Sequence, residues 1–172
     1  ASGKNAGTYT SALQVTGNDA GNYIVTVTNA DLNIAKAALT LTGNSLATTY
    51  NGQTQSVSGY TASGLQGSDT VADLTNVSAS GASGRNAGSY TNAVTAGTQT
   101  NYDVTVQNGT LAIAKANATV TGTATNVTYN GGTQAQSAAT SSGFIAGDAI
   151  TISGEASGKN AGTYTSALQV TG

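Results

Sequence analysis

The chain is 172 residues long, carries five Lys or Arg against seven Asp or Glu, and has a net charge of −2. It contains no Cys, His, Met, Trp or Pro, which excludes disulfides, thiolate metal sites and histidine chemistry. The charge balance leaves no basic footprint for nucleic acid or an anionic membrane surface, and no apolar run approaches the ~20 residues of a membrane helix.

Gly, Thr, Ser, Asn and Ala dominate the composition. Such bias raises the question of disorder. Val, Ile, Leu and Tyr recur here at period two, which argues for folded strands instead. With no Met and no leader, the chain reads as an internal piece of a longer one.

Residues 1–17, ASGKNAGTYTSALQVTG, recur letter for letter at 156–172, 155 positions on. A looser copy, ASGRNAGSYT, occupies residues 82–91. Three further landmarks recur 79 positions apart: NYIVTV at 22–27 against NYDVTV at 101–106, IAKA at 34–37 against 113–116, and TYNG at 49–52 against 128–131. After Asp69 and Asp148 the register slips by five residues, as a surface segment varies. The chain therefore reads as repeat material. Residues 1–36 are the back part of one repeat, 37–115 a complete repeat, and 116–172 the front part of the next. The joins carry no spacer, so neighbours are held close.

In chain order, the first predicted hairpin pairs Val27 with Leu32, Val25 with Ile34 and Tyr23 with Lys36, around Asn29-Ala30. Alternation predicts strands at 38–42 and 117–121, then at 48–51, ending on the turn Asn51-Gly52. Residues 55–61 carry Val57 and Tyr60. Val71, Leu74 and Val77, spaced by three, predict a bulge or one short helical turn. A strand follows at 89–96. A second hairpin is expected around Asn108-Gly109, pairing Val106 with Leu111, Val104 with Ile113 and Tyr102 with Lys115, because Asn-Gly favours positive φ at both turn positions. No amphipathic helix is expected.

About seven short strands per repeat predict an all-β fold of tandem small Ig-like β-sandwich repeats stacked end to end. The expected core is Leu39, Leu41, Tyr50, Val57, Val71, Leu74, Val77, Tyr90, Val94, Tyr102, Val104, Val106, Leu111 and Ile113. That core is thin for about 80 residues, so stacking against neighbours is the expected supplement.

The segments NAGSYT, NYDVTVQNGTLAIAKA, TYNG and GLQGSDTV together resemble the MBG/YDG-type repeats of bacterial filamentous adhesins. A second copy carries NAGTYT, NYIVTVTNADLNIAKA and TYNG. The resemblance implies long stalks in haemagglutinin-like exoproteins, often exported by two-partner secretion, and an Ig-like or β-grasp-like unit. The departures are Asn29-Ala30-Asp31 for the usual Asn-Gly-Thr, and AGDAI at 146–150 for GSDTV.

No residue set points to catalysis, since the acids are sparse and unpaired. No catalytic, cofactor-binding or metal residue is assigned, and no cofactor is expected. Asp69 and Asp148 are read as closing their own turns rather than binding Ca²⁺. Lys36 and Lys115 are read as stems covering Tyr with heads in water, rather than isopeptide partners. Lys4, Arg85 and Lys159, each in a Ser-Gly-(Lys/Arg)-Asn-Ala-Gly loop, are read as solvated turn charges with acidic sugars or the next repeat as alternative contacts. The sequons at Asn76, Asn108, Asn117 and Asn126 are read as chance, and the Thr-Val-Thr runs at 26–28 and 119–121 as ordinary outward Thr.

The sequence thus predicts a stalk or fibre repeat of an extracellular bacterial surface adhesin, for cell adhesion or biofilm matrix. The expected partners are neighbouring repeats, with lateral or head-to-tail self-association and host or matrix glycans beside them. One alternative is a carbohydrate- or matrix-binding module, its Tyr residues expected to be buried in strands. The other is a subunit polymerised by strand complementation.

Overall fold

The computed structural model describes residues Ala1–Gly172 and is all-β, with two 3₁₀ turns and no α-helix. The strands are β1 (Gly7–Thr10), β2 (Asp31–Ile34), β3 (Ala37–Gly43), β4 (Leu46–Thr49), β5 (Gln55–Val57), β6 (Tyr60–Ser63), β7 (Ser78–Ala79), β8 (Ala82–Gly84) and β9 (Gly88–Asn92). They continue as β10 (Val94–Thr95), β11 (Tyr102–Gln107), β12 (Gly109–Ala114), β13 (Thr119–Thr121), β14 (Gln134–Ala135), β15 (Thr140–Ser142), β16 (Thr151–Ser153), β17 (Ser157–Gly158) and β18 (Gln169–Thr171). No helix is long and apolar enough to cross a membrane.

The chain forms two compact units. The first comprises Ala1–Leu46, Ser56–Ala82 and Tyr90–Leu111; the second comprises Ala47–Gln55, Ser83–Ser89 and Ala112–Gly172. Two sheets have three strands, in the orders β11–β3–β6 and β4–β12–β9. The remaining ladders are pairs.

In the first unit β3 is the central strand. Its sequence AALTLTG alternates, so Leu39, Leu41 and Gly43 are buried while Ala38 is exposed and Thr40 and Thr42 stay partly solvated. β6 pairs with one edge of β3, antiparallel, with Leu41 opposite Ala62. β11 takes the other edge, parallel, with Tyr102 opposite Ala37, Val104 opposite Leu39 and Val106 opposite Leu41. Leu39, Leu41, Val94 and Tyr102 form the buried cluster, with Ala37, Leu65, Leu74, Val77 and Val104 packed against it. Most of the expected core is met here and at Leu111 and Ile113, which are also buried. Tyr50, Val57 and Tyr90 are half-buried. Val71 and Val106 are exposed, which corrects their place in the core.

In the second unit β13 pairs with β15, placing Val120 opposite Ser141 and Thr121 opposite Thr140. Shifted by 79 positions, these are the partners Leu41–Ala62 and Thr42–Thr61 of the first unit, so the two ladders share one register. Gly64 and Gly143 also coincide under that shift. Both have positive φ, and a Cβ on either would collide with a carbonyl oxygen, of Ala38 or Asn117.

Neither expected hairpin forms. β11 and β12 lie in different sheets, and neither Asn108 nor Gly109 has positive φ. The Asn108 side chain accepts a hydrogen bond from the Val94 N–H at 3.0 Å, and Gly109 lets the backbone of Gly43 and Asn44 pass where a Cβ would stand. Asn-Gly is used here for a long-range side-chain bond and a close approach, not for a turn. Residues 24–30 form no strand, and β2 pairs instead with β1, Leu32 facing Tyr9. The helical turn expected near Val71 is present as the 3₁₀ turn Val71–Asp73, closed by a Thr70–Asp73 capping box.

Candidate functional site

Each unit holds one carboxylate fixed by a tyrosine. In the first unit the turn before Asp69 closes through its own backbone, Asp69 N–H donating to the Gln66 carbonyl at 3.0 Å. The side chain is thereby spared. It accepts the Tyr102 hydroxyl at 2.5 Å, and the same hydroxyl oxygen accepts the Gln66 N–H at 2.9 Å. The hydrogen bond to Asp69 raises the Tyr102 pKa, because losing the proton would leave a phenolate against a carboxylate; the Gln66 N–H pulls the other way. Nearby, Asp73 accepts both the N–H and the hydroxyl of Thr70 at 2.8 Å. The backbone bond chiefly, then the hydroxyl bond, lowers its carboxyl pKa.

A cleft of about 280 Å³ opens beside Tyr102, lined by Asn5, Asp73, Gln99 and Asn101. The loop carrying Lys4 docks here through its amides. Ala6 N–H donates to Asn101 Oδ1 at 2.9 Å, and Asn101 Nδ2 donates to Asn5 Oδ1 at 3.2 Å. Gln99 is buried and fully used. Its Nε2 donates to the Thr75 and Gly97 carbonyls, its Oε1 accepts the Thr75 N–H, and its own carbonyl accepts Lys36 Nζ.

In the second unit Asp148 N–H donates to the Ile145 carbonyl at 3.2 Å. Its carboxylate accepts the Tyr50 hydroxyl on both oxygens, at 2.7 and 2.8 Å. Arg85 Nε donates to the Gly52 carbonyl at 2.8 Å, and its terminal nitrogen reaches Asp148 at 3.4 Å. The hydrogen bond to Asp148 raises the Tyr50 pKa, with desolvation adding to it and the Arg85 charge opposing it. A cavity of about 510 Å³ adjoins this cluster, lined by Ala116, Ala118, Phe144, Ile145 and Ile150 among others.

The two aspartates thus do not cap their turns with their side chains, which corrects the expectation. Their carboxylates anchor tyrosines. Arg85 is half-exposed but bonded at two points, whereas Lys4 and Lys159 are exposed. Lys36 and Lys115 are exposed too, and Lys36 spends its ammonium on a carbonyl rather than an acid. No group of three or more metal-ligating side chains gathers anywhere. Asn76 is a non-glycine residue with positive φ, and Asn117 and Asn126 are exposed. Tyr23, Tyr129 and Tyr164 are exposed rather than buried, contrary to the expectation for the tyrosines.

Sequence reasoning missed Asn92, which is fully buried. It accepts the Gly81 N–H and donates to the Asn44 and Gly59 carbonyls, tying three loops together. Nothing local marks it, since residues 11 and 166 hold Ser at the matching place. The tyrosine–aspartate pairs were traceable in principle, because both members recur at 79 positions.

Residues 39–112 match the family model described as MBG domain (YGX type). The resemblance read from the sequence motifs is therefore met over that stretch. No curated protein and no solved structure compared with the chain matches it.

Proposed function

We propose that this chain, which carries an MBG-type domain over residues 39–112, is stalk material of a secreted bacterial surface adhesin. It serves as an extended filament for cell adhesion or biofilm matrix and performs no catalysis. One observation supports this above the others. The same loop docks in both units, through Asn5 and Ala6 onto Asn101 and through Arg85 onto Asp148. With repeats divided at 36/37 and 115/116, each docking runs from one repeat to the next. Across the 36/37 join, Lys36 Nζ also bonds the Gln99 carbonyl at 2.8 Å. Short joins with side contacts favour a stiff array over a flexible string.

The test is the length of chains carrying increasing numbers of the 155-residue period, imaged by electron microscopy and checked by small-angle scattering. Linear growth at constant width is the expected result. A globule of growing radius would refute the filament.

The exposed Tyr23, Tyr129 and Tyr164 favour a second reading, a module that binds host or matrix glycans through aromatic faces. Binding on a glycan array that is lost when these tyrosines become Ala would support it.

A further inference from the structure

The carboxylate that each unit spends on a tyrosine connects different things in the two places. In the first unit both partners belong to one repeat: β11 closes a groove along β3, and its Tyr102 hydroxyl reaches Asp69. In the second unit they belong to two: Tyr50 lies in repeat 37–115, and Asp148 in the repeat that begins at 116. Asp69 and Asp148 nevertheless hold the same position, 79 residues apart. The matching groove along β13, beside Asp148, is open. The strand that corresponds there to β11 falls 155 positions after residues 22–27, where the period brings NYIVTV round again.

Several contacts carry Tyr50 across the join. Its N–H donates to the Ala114 carbonyl at 2.8 Å, so the tyrosine stands at the end of β12, the last strand of its repeat. The Asn51-Gly52 turn that follows leans on the next repeat. Gly52 is buried with φ +76°, and a Cβ there would stand 2.7 Å from Ile145 Cγ2. Arg85 grips both sides, the Gly52 carbonyl at 2.8 Å in its own repeat and Asp148 at 3.4 Å in the next. Turn and loop thus converge on one carboxylate. Residues 115–118 alone connect β12 to β13, and a second tie through Asp148 removes the hinge that a single connection would leave.

A carboxylate accepts about four hydrogen bonds. Asp148 therefore retains capacity beside Tyr50 and Arg85 for the phenol that Asp69 takes from Tyr102. We propose that this aspartate is the shared lock of the join: it receives the β11-type tyrosine of its own repeat together with the Tyr-Asn-Gly tyrosine of the repeat before it. Closing a repeat's own groove and docking its neighbour then become one event, and consecutive repeats open and close together. This deepens the filament reading and rests on its division into repeats.

Hydrogen exchange read by mass spectrometry on the full chain tests the lock. Tyr50→Phe removes one hydroxyl and keeps the ring. It should speed exchange about tenfold in residues 47–55 and equally in residues 145–150 of the next repeat, leaving β3 unchanged. Asp148→Ala should do the same, and the two substitutions together no more than either alone. A response confined to residues 47–55, or two effects that multiply, overturns the proposal. Circular dichroism checks that the strands remain, and Asp148→Asn, which keeps the side-chain size, replaces Asp148→Ala if they do not. The second phenol is read in a chain carrying one further 155-residue period. There Asp148→Ala should also speed exchange in the NYIVTV segment 155 positions after residues 22–27. If that segment does not respond, the aspartate serves the neighbour alone and the lock is not shared. Arrays that stay rods while these segments respond independently would sink the lock and leave the filament standing. Compact arrays whose segments still respond together would sink the filament and leave the lock.

Discussion

The two grooves differ by one strand, and that strand decides what the surrounding residues are worth. Leu39 is 1% exposed where β11 covers it, whereas its counterpart Ala118 is exposed beside the open cavity. Leu41 is 0% exposed, whereas its counterpart Val120 is half-buried. Both grooves have the same ladder register and the same glycine at the sheet's end. The two-stranded framework therefore forms from local pairing, and the parallel strand β11 supplies the buried apolar surface that makes it a core in the first unit.

The largest test of that contrast is truncation. Leu39→Ala removes a fully buried side chain from the closed groove and should cost about 2–5 kcal/mol, read as a fall in the urea midpoint. Val120→Ala, at the open groove, should cost a small fraction of that. Equal costs would mean that the parallel strand does not matter to packing.

Much of this contrast was legible in the sequence. The 79-residue recurrence placed the paired landmarks, and alternation in AALTLTG and NYDVTV identified the central strand and its partner as half-buried strands. Their pairing was not legible. Asn108-Gly109 carries the strongest local hairpin signal, yet the bond from Val94 N–H to Asn108 and the passage of Gly43 and Asn44 at Gly109 override it. Those contacts join residues far apart in the chain, and no local pattern encodes them. The tyrosine–aspartate pairs escaped for the same reason. Each residue was visible, but an Asp after a Gly-rich turn is usually satisfied by its own turn, and here the backbone closes the turn first.

A smaller test uses one glycine at the matching place in each unit, 79 positions apart. A Cβ on Gly43 would collide with the Gly109 backbone nitrogen and stand 2.9 Å from the Asn92 carbonyl oxygen. Both obstacles are backbone, so Gly43→Ala should destabilise by about 1–3 kcal/mol. At the counterpart, Gly122→Ala would meet the Ser166 hydroxyl at 3.3 Å and side-chain atoms at 3.5 and 3.6 Å, which can give way. Near-neutral behaviour is expected there. A destabilising Gly122→Ala would show that the surroundings of Gly122 are packed as tightly as those of Gly43.

Smaller again is an alkaline effect. Tyr102 and Tyr50 both have raised pKa values in the folded chain, each chiefly through its hydrogen bond to an aspartate. A raised folded value means that the folded state holds its proton more tightly. The stabilisation is fully present below the ordinary tyrosine pKa of about 10 and is lost as pH rises through the raised values. Unfolding midpoints between neutral pH and strong alkali should fall above about pH 10. Tyr102→Phe should lower the neutral midpoint and flatten the alkaline fall. An unchanged alkaline slope in both Tyr102→Phe and Tyr50→Phe would remove the phenols from the account.

The smallest expected effect separates the two ways in which the shared loop docks. Arg85 holds its loop by charge: the pair with Asp148 spans 3.4 Å, with side chains 54% and 17% exposed. At that exposure, an ion pair contributes about 0.2–1 kcal/mol and fades in salt. Lys4 sits in the corresponding loop, but that loop holds by neutral amide bonds between Asn5, Ala6 and Asn101. Arg85→Ala should therefore lower stability slightly at low salt and have a still smaller effect near 1 M. Asn101→Ala should cost the same at both. Arg85→Lys should recover only part of the loss, because an ammonium does not reproduce the two-point grip on the Gly52 carbonyl and Asp148. If Arg85→Ala proved insensitive to salt, the guanidinium would act through its hydrogen bond to Gly52 alone, and the two loops would dock by one mechanism rather than two.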